Sequence, residues 1–211
     1  MPIEPFNIQT LEKNSVVLIV GRRNTGKSFL VRDLLYHHRD LSNGIVVSPT
    51  EPNEHFYQEV VSSKDTIYEE YTPDLWQSHP INAFIVFDNA LYDKAWPTDA
   101  FIRRLFMEKK SLFLFTMPFA LGIPPYLRTN VDYVFILRDS MEKSRQRLYL
   151  QYGSDVFPTF EAFGQAMDEC TDNYECLVMD QRNRGFYRYK AEERVGFRMG
   201  HGDGSEISTR V

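Results

Sequence analysis

Ser15-Val16-Val17-Leu18-Ile19-Val20 runs directly into Gly21-Arg22-Arg23-Asn24-Thr25-Gly26-Lys27-Ser28. The first half is an unbroken apolar run, rich in β-branched side chains and stopped by a glycine, which predicts a strand buried on both faces. The second half fits G-x-x-x-x-G-K-[ST], the phosphate-binding loop. Past the loop, Leu30, Val31, Leu34 and Leu35 recur one turn apart between Lys27 and His38, with Arg32 and Asp33 on the polar side. That spacing predicts a helix, so the motif stands in the strand, loop, helix setting its chemistry requires. The glycines let the backbone curl so that successive amide hydrogens face a phosphate. Lys27 neutralises the β and γ phosphates, the start of the helix adds its positive dipole end, and Ser28 offers a hydroxyl to magnesium. The candidate nucleotide contacts are therefore Gly21, Arg22, Arg23, Asn24, Thr25, Gly26, Lys27, Ser28 and the adjoining Phe29, with ATP and Mg2+ as the expected ligand and metal.

Outward from this unit the alternation repeats. Residues 44–48 read as a second strand, Asn53 is placed to cap a helix running through Phe56, Val60 and Val61, and residues 83–87 read as a third strand. Thr98 is placed to cap a helix whose inward stripe is Phe101, Ile102, Leu105 and Phe106, and residues 112–115 and 132–137 supply two more strands. Strands separated by helices predict an α/β fold with a mainly parallel central sheet flanked by helices. Beyond it, residues 141–152 and 159–168 read as helices. Residues 174–179 and 186–189 form a candidate C-terminal β-hairpin around Asn183, Arg184 and Gly185.

A metal held beside a phosphate loop needs an acid at the end of an apolar strand, and Phe84-Ile85-Val86-Phe87 followed by Asp88 supplies one, in the manner of a Walker B aspartate. Ser28 and Asp88 are thus the candidate metal residues; an ordinary strand-end aspartate capping a turn is the alternative. The later strand of residues 112–115 ends in Thr116. This order matches P-loop proteins in which an extra strand lies between the loop strand and the Walker B strand and shows a polar sensor to the γ-phosphate. Thr116 is the candidate sensor, against a plain strand-end threonine.

The chain has 211 residues, 43% of them hydrophobic and 25% charged, which fits a folded protein with one core. We expect one domain over residues 1–200 and a loose tail over 201–211, where Gly202, Gly204 and Ser205 offer nothing to bury. The net charge of −5 argues against a surface that grips nucleic acid everywhere, so any DNA contact is expected to be local. Cys170 and Cys176 lack a second pair or a histidine cluster and are read as buried free thiols. No apolar stretch reaches the length of a membrane span, and residues 1–5 lack the basic start and apolar run of a signal peptide, so a cytosolic protein is expected.

From about Asn14 to Gly200 the chain resembles the genome-packaging ATPases of large nucleocytoplasmic DNA viruses, within the FtsK/HerA superfamily of P-loop ATPases. The stretches that carry the resemblance are Gly21 to Ser28, residues 121–137 (LGIPPYLRTNVDYVFIL), residues 170–179 (CTDNYECLVM), and the closing Tyr189, Lys190, Ala191 with Phe197, Arg198, Met199 and Gly200. The resemblance implies a RecA-like motor that hydrolyses ATP, assembles as a homo-oligomeric ring and drives double-stranded DNA into a capsid. Its implied partners are capsid or portal-vertex proteins, and its implied places are assembly sites in the host cytoplasm and the virion. Lys27, Asp88 and Thr116 carry the family's catalytic positions.

Three positions depart from the family pattern. Asn89 follows the Walker B aspartate where a second acid is usual, and its amide cannot take up a proton. Phe106-Met107-Glu108-Lys109-Lys110-Ser111 enters the sensor strand directly, without the usual Asn-Gly-Arg-His segment. Met117 and Pro118 follow Thr116 where glutamine is usual. Glu51 is a candidate replacement base, since some RecA-like ATPases place a glutamate beside the phosphate loop; a solvated loop glutamate is the alternative. Arg128 and Arg138 are candidates for the arginine that one ring subunit offers to its neighbour's γ-phosphate. DNA contacts are sought at Arg103 and Arg104, at Lys109 and Lys110, and in the stretch with Arg182, Arg184, Arg188, Lys190, Arg194 and Arg198. The competing readings are an ATP-binding scaffold or slow ATPase with impaired catalysis, and a small-molecule P-loop kinase.

Overall fold

Val16–Val20 forms strand β1 with every residue buried, as expected of β-branched residues with no polar neighbour to place in water. In the computed structural model, which describes residues 3–61, 67–72, 82–89, 96–119 and 123–200, the elements follow in chain order. After β1 come α1 (Lys27–His37), β2 (Gly44–Val47), α2 (Glu51–Glu54), β3 (Ile67–Tyr68) and β4 (Phe84–Asp88). Then come α3 (Ala100–Glu108), β5 (Leu112–Met117), α4 (Pro125–Arg128), β6 (Tyr133–Ile136), α5 (Glu142–Leu148), α6 (Phe160–Cys170), β7 (Glu175–Asp180) and β8 (Gly185–Lys190).

The strands make one eight-stranded sheet in the order β3-β2-β4-β5-β1-β6-β7-β8. Pairing is parallel from β3 through β6 and antiparallel from β6 to β7 and from β7 to β8. This is the P-loop NTPase fold, with β5, which carries Thr116, between β1, which leads into the glycine-rich loop, and β4, which ends at Asp88. The expected C-terminal hairpin forms and extends the same sheet.

Strand alternation divides the core into two layers. Val16, Leu18 and Val20 pack with Ile102 and Phe106 of α3, Leu127 of α4 and Phe163 and Met167 of α6. Val17 and Ile19 face the other way, onto Leu30, Val31, Leu34 and Leu35 of α1. A sheet buried on both sides requires this, because successive side chains point to opposite faces. Residues near both ends of the described chain close the second layer. The Phe6 N–H donates to the Arg188 carbonyl at 2.8 Å, the Met199 N–H to the Val60 carbonyl at 2.8 Å, and Phe6, Phe197 and Met199 are buried.

Three expectations need correction, and one strand was not foreseen. The helix expected from Asn53 through Val61 is a single turn, Glu51–Glu54, ended by His55 at φ 51°. The Glu51 carboxylate accepts the Tyr57 and Gln58 N–H groups at 2.8 Å each, giving these amides a partner outside any helical ladder. Helix α3 is capped by Asp99, not Thr98: the Asp99 side chain accepts from Phe101 N–H at 2.8 Å and Ile102 N–H at 3.0 Å. The expected helix over 141–152 is α-helical only to Leu148 and then widens into a π turn, Tyr149–Gly153. Edge strand β3 has just two residues and no periodicity to announce it. Cys170 and Cys176 are buried free thiols, as expected, and burial pushes both upward, Cys170 to about 11. The tail expected over 201–211 lies outside the described residues. Among the described residues no helix is long and apolar enough to cross a membrane.

Candidate nucleotide site

The loop between β1 and α1 is shaped by its glycines. A Cβ at Gly21 would lie 2.5 Å from Thr25 Oγ1 and 2.8 Å from Leu137 Cβ, so only a hydrogen fits. Gly26 takes φ 99°, which favours glycine, and hands the chain into α1 at Lys27. Thr25 Oγ1 donates to the Arg22 carbonyl at 2.8 Å and Lys27 Nζ donates to the same oxygen at 3.1 Å, closing the loop on itself.

Asp88 ends β4 and is 2% exposed. Its Oδ2 accepts from Ser28 Oγ at 2.6 Å and from the Tyr57 hydroxyl at 2.8 Å, while its Oδ1 accepts from Thr116 Oγ1 at 2.6 Å. Register explains the last contact, since Asp88 and Thr116 are paired residues of β4 and β5. Thr116 Oγ1 in turn accepts the Asn89 N–H at 2.9 Å. Asn89 sits at φ 53°, in the left-handed region that asparagine and aspartate tolerate best after glycine.

Ser28, Asp88, Thr116 and Asn89, dispersed in sequence, thus meet at the carboxyl ends of β4 and β5 beside the phosphate loop. A cavity of about 480 Å3 opens there, lined by Arg23, Asn24, Gly26, Lys27, Ser28 and Phe29 together with Thr50, Asn89 and Pro118. Lys27 is buried on its floor. Removal from water lowers its pKa, and the Asp88 carboxylate offsets this only in part. The ammonium is therefore short of negative charge, which a polyphosphate would supply. Ser28 and Asp88 offer hard oxygen ligands that suit magnesium, a metal that completes its octahedron with water and phosphate oxygens. Among the described residues no cluster of three His, Cys, Asp or Glu side chains forms a metal cage.

Other candidates lie apart. Glu51 is 3% exposed, so the solvated-loop alternative is wrong; it does not line the 480 Å3 cavity, where its neighbour Thr50 stands instead. Its Oε1 is taken by the amides of Tyr57 and Gln58, and its Oε2 is buried without a hydrogen bond. Arg138 pairs with Asp172 at an exposed surface, and Arg128 ends α4, half-buried. Of the basic residues considered for DNA, Lys109 pairs with Asp132 at 2.6 Å, Lys110 with Glu108 at 2.7 Å and Arg182 with Glu12 at 3.0 Å. Arg194 is held by Asp33 at 2.7 Å and Glu192 at 2.8 Å. Arg103 and Arg104 stay exposed on α3, and Arg103 lies over the Tyr126 ring at 5.7 Å.

Sequence reasoning missed Tyr57. Its hydroxyl reaches Asp88 from 31 residues away, and burial with the adjacent carboxylate pushes its pKa well above the ordinary phenol value. No motif marks it; a tyrosine among buried apolar positions looks like core.

No protein-family model matches the chain. It is 31% identical over 195 residues to uncharacterized protein 075L of Invertebrate iridescent virus 6, covering 83% of this chain and 75% of that protein. It is 30% identical over 202 residues to uncharacterized protein 088R of Invertebrate iridescent virus 3, covering 84% and 76%. Among solved structures it is similar to the genome packaging NTPase B204 of Sulfolobus turreted icosahedral virus 2 in complex with sulfate. The TM-score is 0.67 at 15% identity, over 87% of this chain and 100% of that one. The chain belongs to one family of viral proteins with the iridescent-virus proteins 075L and 088R, and it has the P-loop NTPase fold seen in B204.

Proposed function

We propose that this chain is a P-loop ATPase that drives double-stranded viral DNA into a capsid as one subunit of a homo-oligomeric ring. The observation that carries the reading is Asp88, held between the hydroxyls of Ser28 and Thr116 at the mouth of a phosphate loop with a buried, under-compensated Lys27. The genome packaging NTPase B204, which shares the fold, is described in complex with ATP-gammaS, and the two relatives named above are proteins of invertebrate iridescent viruses.

In this reading, Lys27 and the amides at the start of α1 bind the β and γ phosphates of ATP. Ser28 and Asp88 hold magnesium, which supplies positive charge to the phosphate oxygens. Thr116 fixes the Asp88 carboxylate and senses the γ-phosphate, and Asn89 orients the attacking water through its amide without removing its proton. An arginine from the next subunit, Arg128 or Arg138, neutralises charge that develops in the transition state. Residues 1–200 form the ATPase domain, DNA contacts are local, and capsid or portal-vertex proteins are the docking partners, in host cytoplasmic assembly sites and the virion.

A second reading has one observation in its favour: Asn89 lines the cavity where a carboxylate base would act. It makes the chain a slow or regulated ATPase. One experiment separates the two. ATP hydrolysis by the purified chain is measured with and without double-stranded DNA, alongside particle mass. DNA-stimulated turnover by a ring, lost in Lys27→Ala, supports the motor. ATP binding with no turnover at any DNA or salt concentration supports the slow form, and no magnesium-ATP binding at all removes both.

A further inference from the structure

Tyr57 stands behind the phosphate cavity. It is 1% exposed and takes no part in the cavity lining, so it can act on a ligand there only through another side chain. Its ring packs edge-on against Phe56 at 5.2 Å, in the layer that holds Leu30 of α1, Val86 of β4 and Leu114 of β5. Its backbone is fixed as well. The N–H donates to Glu51 Oε1 at 2.8 Å, and the carbonyl accepts the N–H groups of Val60 at 3.0 Å and Val61 at 2.9 Å. With ring and backbone both held, the hydroxyl is delivered to Asp88 Oδ2 at 2.8 Å.

A buried phenol needs an acceptor, but this acceptor was already served. Asp88 Oδ2 also accepts from Ser28 at 2.6 Å, and Oδ1 accepts from Thr116 at 2.6 Å. What Tyr57 adds is independence from the phosphate loop. Thr116 holds Oδ1 from β5, and Tyr57 holds Oδ2 from the segment after α2. The carboxylate is therefore oriented from outside the loop, whatever Ser28 binds. The brace also leads back to the cavity, since Glu51, which holds the Tyr57 amide, directly follows the lining residue Thr50.

We propose that Tyr57 is a positioning residue that fixes the orientation of the Asp88 carboxylate toward a divalent cation shared with Ser28 and a triphosphate. The proposal rests on the reading of Ser28 and Asp88 as the magnesium residues. Magnesium demands a near-ideal octahedron of oxygens, so the angle at which an acid meets it or its bound water matters. Groups that orient a metal-binding side chain typically change metal affinity by about tenfold to a hundredfold. The phenol is a neutral donor here, so its loss removes orientation and leaves the net charge of the site as it was.

Calorimetry on the full chain with ATP, in excess magnesium and in EDTA, tests the assignment. Tyr57→Phe keeps the ring and its packing and removes only the hydroxyl, and binding stoichiometry reports the folded fraction separately from affinity. We expect Tyr57→Phe to weaken magnesium-ATP about tenfold and to leave magnesium-free ATP unchanged. In an Asp88→Asn background, where no carboxylate remains to be oriented, Tyr57→Phe should cause no further loss. Unchanged magnesium-ATP affinity in Tyr57→Phe overturns the assignment. So does an equal loss with and without magnesium, which would mark a hydroxyl that supports only the fold, or a full further loss in the Asp88→Asn background. If the unaltered chain binds ATP equally well in both conditions, the metal site falls and the role of Tyr57 with it, while the phosphate loop stands. If it binds ATP in neither, the phosphate site falls as well.

Discussion

Helix α1 begins and ends in opposite ways. Its first turn carries Lys27 and Ser28 beside an open cavity, with a buried ammonium whose nearest compensation is one carbonyl and a shared carboxylate. Its later turns are tied down. Asp33, fully buried, accepts from the Tyr189 hydroxyl at 2.5 Å and from Arg194 Nε at 2.7 Å, with His37 at 3.8 Å on the same side chain. Arg194 also lies over the Tyr36 ring at 4.2 Å. The closed end anchors the helix to β8 and the chain after it; the open end leaves its electrostatics incomplete. Stability and binding are therefore divided along one helix, and residues that serve binding are expected to cost stability while the site is empty.

The largest effect is expected at the closed end. Asp33→Ala takes the acceptor from the Tyr189 hydroxyl and leaves Arg194 with Glu192 as its remaining acid, and should lower unfolding free energy by about 3 kcal/mol, read from urea denaturation. The folded fraction should still bind magnesium-ATP, and loss of both together would break the division. At the open end, Lys27→Ala should weaken magnesium-ATP by about a hundredfold, roughly 2.7 kcal/mol, by calorimetry. Its melting temperature should stay the same or rise, because a desolvated charge is removed; a fall of several degrees would count against the contrast.

The next effect belongs to His38, which caps the end of α1. Burial lowers its pKa to about 4, and Asp40 offsets this only in part. The unfolded chain takes up this proton near pH 6.5, before the folded chain does. The stability contribution is thus complete above pH 6.5 and is lost as pH falls toward 4. Between pH 7 and pH 5 the loss should be roughly 2 kcal/mol, and His38→Leu should flatten that part of the pH profile. The smallest effect is expected from Asn89→Asp. It restores a carboxylate in a backbone conformation aspartate tolerates, and should raise ATP turnover about tenfold while changing ATP affinity little. Unchanged turnover would mean that activation of water lies elsewhere.

Some of the site was legible in the sequence and some was not, for reasons visible in single residues. Lys27 and Ser28 were legible because a phosphate loop is local: eight consecutive residues carry its glycines, charge and hydroxyl. Asp88 and Thr116 were legible because each ends an apolar run, and parallel strands bring their carboxyl ends to one edge. Glu51 looked like a loop acid, and only its hydrogen bonds to Tyr57 and Gln58 show a carboxylate ending a helix after one turn. Thr98 was the cap the sequence suggested, but the cap is its neighbour Asp99, whose side-chain oxygen reaches two amides.

The sequence by itself determined that a buried strand runs into a phosphate loop and a helix, and that a mainly parallel sheet follows. Apolar periodicity and glycine placement act over a few residues and need no knowledge of distant neighbours. Only the tertiary structure decided that Tyr57 donates to Asp88 and that Tyr189 and Arg194 close on Asp33. Those contacts join residues far apart in the chain, and they exist because strand order and helix packing set which side chains share a space.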